Sequence, residues 1–290
     1  MELQSYEKRG YLHEDFRLFH LTTAMEQEVD WHYHAFHKII VYLGGAAAFY
    51  GIEGKSYPLQ PGDIILVPQG CIHRPEIKRG TAYDRMILYI SPEFLCRSSE
   101  DDSLEACFAH AAREFHFVVR AGGQNRALLQ PLYAMEQAEG QSAFASTLLT
   151  RSLFFQFLIF LTRETARGEL VYAPAAQCDE KIVAIMQYLS QHPTDQISID
   201  DLAAQFYISK YYMMRRFRAQ TGYTIHAYLI GKRLMLAREK IAGGMPAGEA
   251  AYACGFGDYS AFSRAYRKQF GQTPRAAKTE EFLHKDGKEA

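Results

Sequence analysis

The sequence contains no long apolar run and few cysteines. No apolar stretch approaches the roughly 20 residues that a membrane-spanning helix needs, which argues against a membrane protein. Residues 1–10 are polar and lack the apolar core of a signal peptide, so we expect a cytoplasmic protein. The five cysteines are irregularly spaced and include no CxxC pair: Cys71, Cys96, Cys107, Cys178 and Cys254. This pattern indicates reduced thiols and argues against a disulfide framework or a cysteine zinc site.

The chain also lacks a large net charge of either sign, because its formal charge is only −1. The charge is unevenly distributed. Residues 179–290 hold 16 Lys and Arg against 12 Asp and Glu, whereas the preceding 178 residues hold 16 against 21. Such an asymmetry is expected if only the C-terminal part meets phosphate groups. A length of 290 residues suits two globular domains better than one.

The segment Ala250–Pro274 predicts a short helix, a tight turn and a second helix. Gly255 lies where a helix end needs a positive φ, which glycine adopts without steric cost, and Asp258 is a good N-cap for the next helix. Phe262 and Tyr266 are the large anchors on the inner side of that helix, and its outer side is polar and carries arginines. This arrangement is typical of a DNA-reading helix-turn-helix motif.

The same layout occurs about fifty residues earlier, in Ser198–Gly222, so the motif is repeated. Ser198 is the predicted cap of the first helix, with Asp201 three residues on. Ser209 is the predicted cap of the second helix, in which Met213 and Phe217 are expected to face the core. Two units that each carry a Ser or Asp cap, apolar anchors four residues apart and a terminal glycine are unlikely to arise by chance.

Residues 179–277 resemble the tandem helix-turn-helix domain of the AraC family of bacterial transcription regulators. The second unit, ACGFGDYSAFSRAYRKQFGQTP, matches the family signature nearly position for position, and Ala227–Ile241 is similar to the central helix of that domain. One residue departs from the family pattern. Tyr207 lies in the first turn, where the family more often has Gly, Asn or His. A tyrosine at positive φ would be strained, so we expect this turn to be shaped slightly differently.

The outer residues of each second helix are the candidates for contacts with double-stranded DNA, because a helix fits the major groove with its N-terminal turns against base edges. The predicted base contacts are Tyr211, Met214, Arg215, Tyr259, Ser260, Ser263 and Arg264. The predicted phosphate contacts are Lys210, Arg218, Arg267 and Lys268. The alternative for any single arginine is a solvated or phosphate-bound charge. The central helix would hold the two reading helices about one DNA turn apart, ~34 Å.

The N-terminal part contains several short apolar runs divided by Gly and Pro turns, which is typical of a sandwich or barrel. In His32-Tyr33-His34, alternation along a strand would place both imidazoles on one face. A later segment, Pro61–His73, supplies two turns, a strand and a third histidine. Together these segments resemble the two motifs of the cupin barrel, whose histidines point into a cavity. This barrel with a tandem helix-turn-helix is the usual AraC-family layout, a multidomain α+β fold.

The histidines raise the question of a metal. The resemblance implies two His, a Glu about four residues after the second and a later His as metal ligands, but the Glu position holds Lys38. A protonated lysine repels a divalent cation, so we expect no metal and no cofactor. If a metal is bound, its ligands are His32, His34 and His73, with His37 as a substitute for the Glu. Satisfied histidines without a ligand are a further alternative.

The barrel is predicted to bind a small-molecule effector. The candidate effector-binding residues are His32, His34, Lys38, Tyr42 and His73. Alternation places Ile40 and Tyr42 on the same face as Lys38, whose ammonium group suits an anionic or polyhydroxy ligand. A saccharide or another polar metabolite is the candidate, since saccharides are frequent effectors of relatives with this barrel. Trp31 has the opposite parity and is expected to pack in the barrel.

The segment between the barrel and the DNA-binding part, approximately Leu104–Arg167, is predicted to be helical. Ser142–Arg163 has more apolar residues than one helix stripe needs. One side of this helix is predicted to form a homodimer, as the resemblance implies. The alternative is that all of these residues are buried against the barrel and a neighbouring helix at Asn125–Glu139. We therefore place the barrel at 1–100, the helical dimerisation segment at 101–167, the linker at 168–178 and the DNA-binding domain at 179–280.

The predicted function is sequence-specific regulation of transcription, controlled by an effector that shifts the protein between DNA-binding arrangements. RNA polymerase is a candidate partner, and no membrane partner or catalytic residue is expected. One alternative is a metal-dependent cupin enzyme, an isomerase or dioxygenase with an accessory helical domain. Another is a regulator whose barrel serves only as a dimer scaffold.

Overall fold

The computed structural model describes residues 12, 14–24, 29–45, 48–77, 80–100, 102–120, 125–138 and 143–276. Two predicted segments, the polar residues 1–10 and the end of the DNA-binding domain at 277–280, lie outside the described residues. The described residues form two compact units. The N-terminal unit comprises 12–32 and 36–178, and the C-terminal unit comprises 33–35 and 179–276. None of the helices in these ranges combines the length and the apolar character that a membrane span requires.

Ten strands form two antiparallel sheets in the described part of the N-terminal unit. The strands are β1 (Phe16–Ala24), β2 (His37–Gly45), β3 (Ala48–Ile52), β4 (Lys55–Pro58), β5 (Ile64–Val67), β6 (His73–Ile77), β7 (Ala82–Ile90), β8 (Val118–Arg120), β9 (Val171–Tyr172) and β10 (Gln177–Cys178). The larger sheet has the order β1-β7-β2-β5-β8-β9, and the smaller has β10-β4-β3-β6. A β-rich N-terminal fold is thereby confirmed.

The central strand β2 separates two apolar layers. It pairs with β7 on one side, where Lys38 lies opposite Tyr89 and Tyr42 opposite Arg85, and with β5 on the other. Because side chains alternate along a strand, Lys38, Ile40 and Tyr42 share one face, as the sequence predicts. Tyr42 packs with Ile77 of β6, so this face is turned towards the smaller sheet.

The opposite face of the larger sheet is covered by helices. The helices of the N-terminal unit are α1 (Pro92–Ser98), α2 (Ala106–Glu114), α3 (Asn125–Ala138) and α4 (Ser146–Arg167). Phe16 of β1 stacks on Phe154 of α4 at 4.4 Å between ring centroids, and α3 packs against α4. The inner stripe of α4 is fully buried and consists of Phe154, Phe157, Leu158 and Leu161.

Two predicted segments differ from the structure. The segment 101–167 is not wholly helical, because it also contains β8, which pairs with β5 in the larger sheet. The segment 168–178 is not a free linker. Its strands β9 and β10 pair with β8 and β4, and so it completes both sheets. Strands of two or three residues carry too little alternation to be predicted from the sequence.

The C-terminal unit is helical and contains two helix-turn-helix motifs. Its helices are α5 (Glu180–Gln191), α6 (Ile199–Gln205), α7 (Lys210–Thr221), α8 (Ile225–Ala242), α9 (Ala247–Ala253) and α10 (Tyr259–Phe270). Helices α6 and α7 form the first motif, α9 and α10 form the second, and α8 is the central helix between them. The all-α C-terminal fold is confirmed.

Predicted caps fix the ends of these helices. The side chain of Ser198 accepts a hydrogen bond from the backbone N–H of Asp201, and Ser209 caps α7 in the same way. Asp258 accepts bonds from two backbone N–H groups at the start of α10. Gly222 and Gly271 end α7 and α10 with φ near +75°. Each cap satisfies backbone groups that a helix end leaves without a partner.

Candidate functional site

Helix α10 presents a polar outer surface because its apolar residues are confined to one stripe. Phe262 and Tyr266 are fully buried, and Phe270 continues this stripe. The predicted DNA contacts of this helix lie away from the stripe. Ser260, Arg264, Arg267 and Lys268 are exposed, and Tyr259 and Ser263 are half-buried.

Helix α7 has the same organisation and a more aromatic outer surface. Met213 and Phe217 are fully buried, whereas Tyr211 is 77% exposed. The other predicted contacts of the helix, Met214, Arg215 and Arg218, are exposed as well. Lys210, the first residue of α7, is half-buried. Its ammonium group bonds Asp200 at 2.8 Å and lies 5.8 Å from the centre of the Tyr211 ring.

Arg233 of α8 connects distant parts of the C-terminal unit and was not predicted as important. Its guanidinium donates hydrogen bonds to the carbonyls of Pro193, Asp195 and Gly255 at 2.7, 2.7 and 2.9 Å. The residue is only 8% exposed, and burial lowers the pKa of its guanidinium. The three carbonyls belong to the loop before α6 and to the turn of the second motif. Arg233 therefore ties that turn to the loop.

Two of the three candidate histidines lie together in the N-terminal unit. His32 and His73 exchange backbone hydrogen bonds of 3.2 and 2.9 Å, and their ring centroids are 4.3 Å apart. The Nδ1 atoms bond the carbonyls of Asp30 and Cys71. The Tyr50 ring is stacked with the His73 ring, with 6.0 Å between the ring centroids.

His34 is not part of this pair, because it belongs to the C-terminal unit. The prediction that His32 and His34 share a strand face is wrong, since residues 33–36 are not in a strand and β2 begins only at His37. His37 in turn lies on the helix-covered face, where it stacks on Phe108 of α2. Within the described ranges, no three or more His, Cys, Asp or Glu side chains are placed to hold a metal ion.

The sheet face that bears Lys38 of β2 also includes residues of β7, and together they present two buried cations and several phenols. Lys38 is 3% exposed, with its ammonium 5.4 Å from the centre of the Tyr89 ring. Arg85, which pairs with Tyr42, is 7% exposed and donates to the carbonyl of Tyr83 at 2.8 Å. Burial raises the pKa of Tyr42 and of Tyr83, so both phenols stay protonated donors at neutral pH. The sequence predicted Lys38 and Tyr42. It did not single out Arg85 and Tyr83, although their alternation in β7 places them on the same face as Tyr42.

Trp31 packs on the smaller sheet as predicted. Its ring lies over Gly51, where a Cβ atom would come within 2.6 Å of it, and the guanidinium of Arg74 lies 4.7 Å from the ring centre. The tryptophan thus serves as packing next to the His32–His73 pair.

Comparisons with known proteins agree with this two-unit organisation. Residues 18–158 match the family described as "AraC-like ligand binding domain", and residues 202–280 match a "Helix-turn-helix domain". The HTH-type transcriptional activator RhaS of Escherichia coli is 28% identical over 250 residues, which cover 84% of this chain and 85% of the relative.

Two solved structures are similar to about a third of the chain. A probable AraC family transcriptional regulator from Rhodopseudomonas palustris CGA009 is 25% identical over 36% of this chain and 98% of its own, with a TM-score of 0.34. The DNA-binding domain of AdpA, solved in complex with a target DNA, is 26% identical over 37% of this chain and 96% of its own, also with a TM-score of 0.34.

Proposed function

The chain belongs to the AraC family of transcription regulators, and from this premise we propose that it is a homodimer that binds operator DNA under the control of a small polar effector. The observation that carries the proposal is the repeated motif, in which each second helix has a side-chain N-cap, large buried apolar anchors four residues apart and a basic exposed surface. A regulator of this kind acts where bacterial DNA lies, in the cytoplasm.

We assign base recognition to the exposed side chains of α7 and α10. Arg215 and Arg264 suit bidentate bonds to guanine, and Tyr211 and Met214 suit contact with a thymine methyl. The remaining proposed base contacts are Tyr259, Ser260 and Ser263. Phosphate contacts are assigned to Lys210, Arg218, Arg267 and Lys268. Since RhaS is a transcriptional activator, RNA polymerase is a candidate partner of the DNA-bound protein.

The effector is proposed to bind at the Lys38 face of the N-terminal unit, with His32 and His73 as further candidate contacts. Two buried cations, Lys38 and Arg85, and the protonated phenols of Tyr42 and Tyr83 offer donors to an anionic or polyhydroxy ligand. His34 is not included in this site, because it lies in the other unit. Regulation rather than catalysis is favoured by the activator function of RhaS and by a lysine where metal cupins have a glutamate.

Thermal melting against a panel of sugars, sugar acids and other metabolites tests the effector proposal. A ligand that binds only the folded protein raises the melting temperature, and at 100 Kd the gain is about 2.7 kcal/mol. Lys38→Met should abolish the shift while the unliganded protein still folds. If no compound shifts melting or alters DNA affinity, the barrel is a scaffold and the effector proposal is wrong.

Homodimer formation is assigned to α4. Beyond its buried stripe, this helix exposes large apolar side chains, including Leu148 at 66% exposure and Leu149. Phe144, just before the helix, is fully exposed. Large apolar side chains that remain exposed mark candidate association sites.

Gel shifts with fragments from around the gene test DNA binding. We expect one fragment to stay bound at salt concentrations that abolish binding to unrelated DNA. Specific sites bind about 10³- to 10⁷-fold more tightly than non-specific DNA. The double variant Arg215→Ala, Arg264→Ala should lose that preference while keeping the melting temperature of the parent. Salt-labile binding with equal affinity for every fragment would refute the assignment of a sequence-specific regulator.

A further inference from the structure

The two helix-turn-helix turns share one backbone design but differ at its critical position. In the first, the N–H of Ile208 bonds the carbonyl of Ala203 at 3.0 Å, and in the second the N–H of Phe256 bonds that of Ala251 at 3.1 Å. The residue before each donor has a positive φ, which is 80° at Gly255 and 51° at Tyr207. The first turn is one residue shorter, as Ser209 caps α7 directly after Ile208.

A tyrosine at this position costs free energy, because the left-handed conformation brings Cβ close to the following carbonyl. The second motif avoids that cost with Gly255, where a Cβ atom would also come within 2.8 Å of the carbonyl oxygen of Thr194. Tyr207 recovers nothing through burial, since its side chain is 90% exposed. Packing in the folded protein therefore does not explain why a tyrosine occupies this position.

The surroundings of Tyr207 are basic and aromatic. The ammonium of Lys181 donates to the Tyr207 carbonyl at 3.2 Å, and Lys210 follows three residues on as the first residue of α7. Tyr211, four residues on, is the next strongly exposed aromatic side chain. Tyr207 thus extends the exposed surface of α7 beyond the N-terminal end of the helix, which is the end that enters a major groove.

We propose that Tyr207 is a DNA-positioning residue whose phenolic Oη donates a hydrogen bond to a phosphate beside the groove read by α7. This inference depends on the proposed DNA-binding function. Two nearby lysines, Lys181 on the Tyr207 carbonyl and Lys210 paired with Asp200, favour a polyanion over a protein surface as the partner. Phosphate contacts from tyrosine fix the register of a protein on the duplex and carry no sequence information, so Tyr207 acts on all sites alike.

The test compares Tyr207→Gly and Tyr207→Phe in the full-length protein by melting and by anisotropy with the operator fragment and an unrelated fragment. The glycine variant removes strain and contact, so we expect it to melt at a higher temperature and to bind both fragments about threefold to tenfold more weakly. The phenylalanine variant keeps the ring and the backbone strain and lacks only the hydroxyl group. It should therefore melt at the same temperature as the parent and bind both DNA fragments several-fold more weakly. Tyr133→Phe, in α3, is the matched control and should change neither property.

Salt dependence separates this contact from a charged one. Tyr207→Gly should leave the slope of log affinity against log salt unchanged, whereas Lys210→Ala should reduce it by about one. The proposal is overturned if Tyr207→Gly binds both fragments as tightly as the parent. It is equally overturned if that variant binds DNA normally and fails only to activate a reporter with RNA polymerase, which would indicate a protein partner. Failure of the parent to prefer any operator would instead remove the proposed function.

Discussion

Replacing Arg233 by alanine tests whether one buried guanidinium holds the C-terminal unit together. The substitution removes three hydrogen bonds of 2.7 to 2.9 Å from the carbonyls of Pro193, Asp195 and Gly255. The Gly255 carbonyl keeps a longer bond of 3.5 Å from the Gln196 side-chain amide. A hydrogen bond from a charged group contributes about 1.5 to 3 kcal/mol, and three on one group are not additive. Because the site is 8% exposed, water can compensate only in part. We expect the free energy of unfolding to fall by about 3–5 kcal/mol.

Urea denaturation followed by circular dichroism at 222 nm measures this loss in the full-length protein. Arg233→Lys is an informative intermediate, since one ammonium cannot reproduce the planar fork, and it should lose about 1–3 kcal/mol. Glu239→Ala, an exposed position on the same helix, is the matched control and should change stability by less than about 0.5 kcal/mol. A loss below about 1 kcal/mol for Arg233→Ala, with an unchanged urea slope, would refute the reasoning.

Three further substitutions test the remaining assignments. Arg264→Ala should cost about 1–3 kcal/mol of operator affinity and relax specificity at one base pair; an unchanged ratio of specific to non-specific affinity contradicts the base contact. Burial alone would lower the pKa of His20, but bonds to Glu136 and Asp84 raise it above 6.5. The stability that the protonated His20 contributes is therefore complete below pH 6.5 and is lost as the pH rises through the raised pKa. His20→Gln should thus lower the free energy of unfolding at pH 5.5 and not at pH 9. An equal loss at both pH values in urea denaturation contradicts this. Leu148→Glu should dissociate the dimer in sedimentation experiments, and a stable dimer would exclude this surface.

Features set by short stretches of sequence could be predicted. The caps at Ser198, Ser209 and Asp258 depend on a side chain and a backbone N–H two or three residues away, and they form as expected. The positive φ at Gly255 follows from the glycine itself. The common face of Lys38 and Tyr42 follows from alternation in a long strand.

Features set by distant parts of the chain could not be predicted. Arg233 bonds residues that lie 22 to 40 positions away, and nothing in its neighbours marks it as buried. The predicted position of His34 was wrong because side chains alternate regularly only within a strand. The chain forms an isolated β-bridge at His32 and is not in a strand at residues 33–36. The strand β10, two residues long, exists only because β4 is there to pair with it.

The single tryptophan gives the N-terminal unit its own optical label. The Trp31 ring contacts Gly51 and the guanidinium of Arg74, and its chain neighbour His32 is paired with His73. Fluorescence excited at 295 nm comes from this one indole, because tyrosines absorb almost no light at that wavelength. Titrating metabolites against the unmodified protein should thus give effector affinities directly, with no dye, tag or DNA in the cuvette.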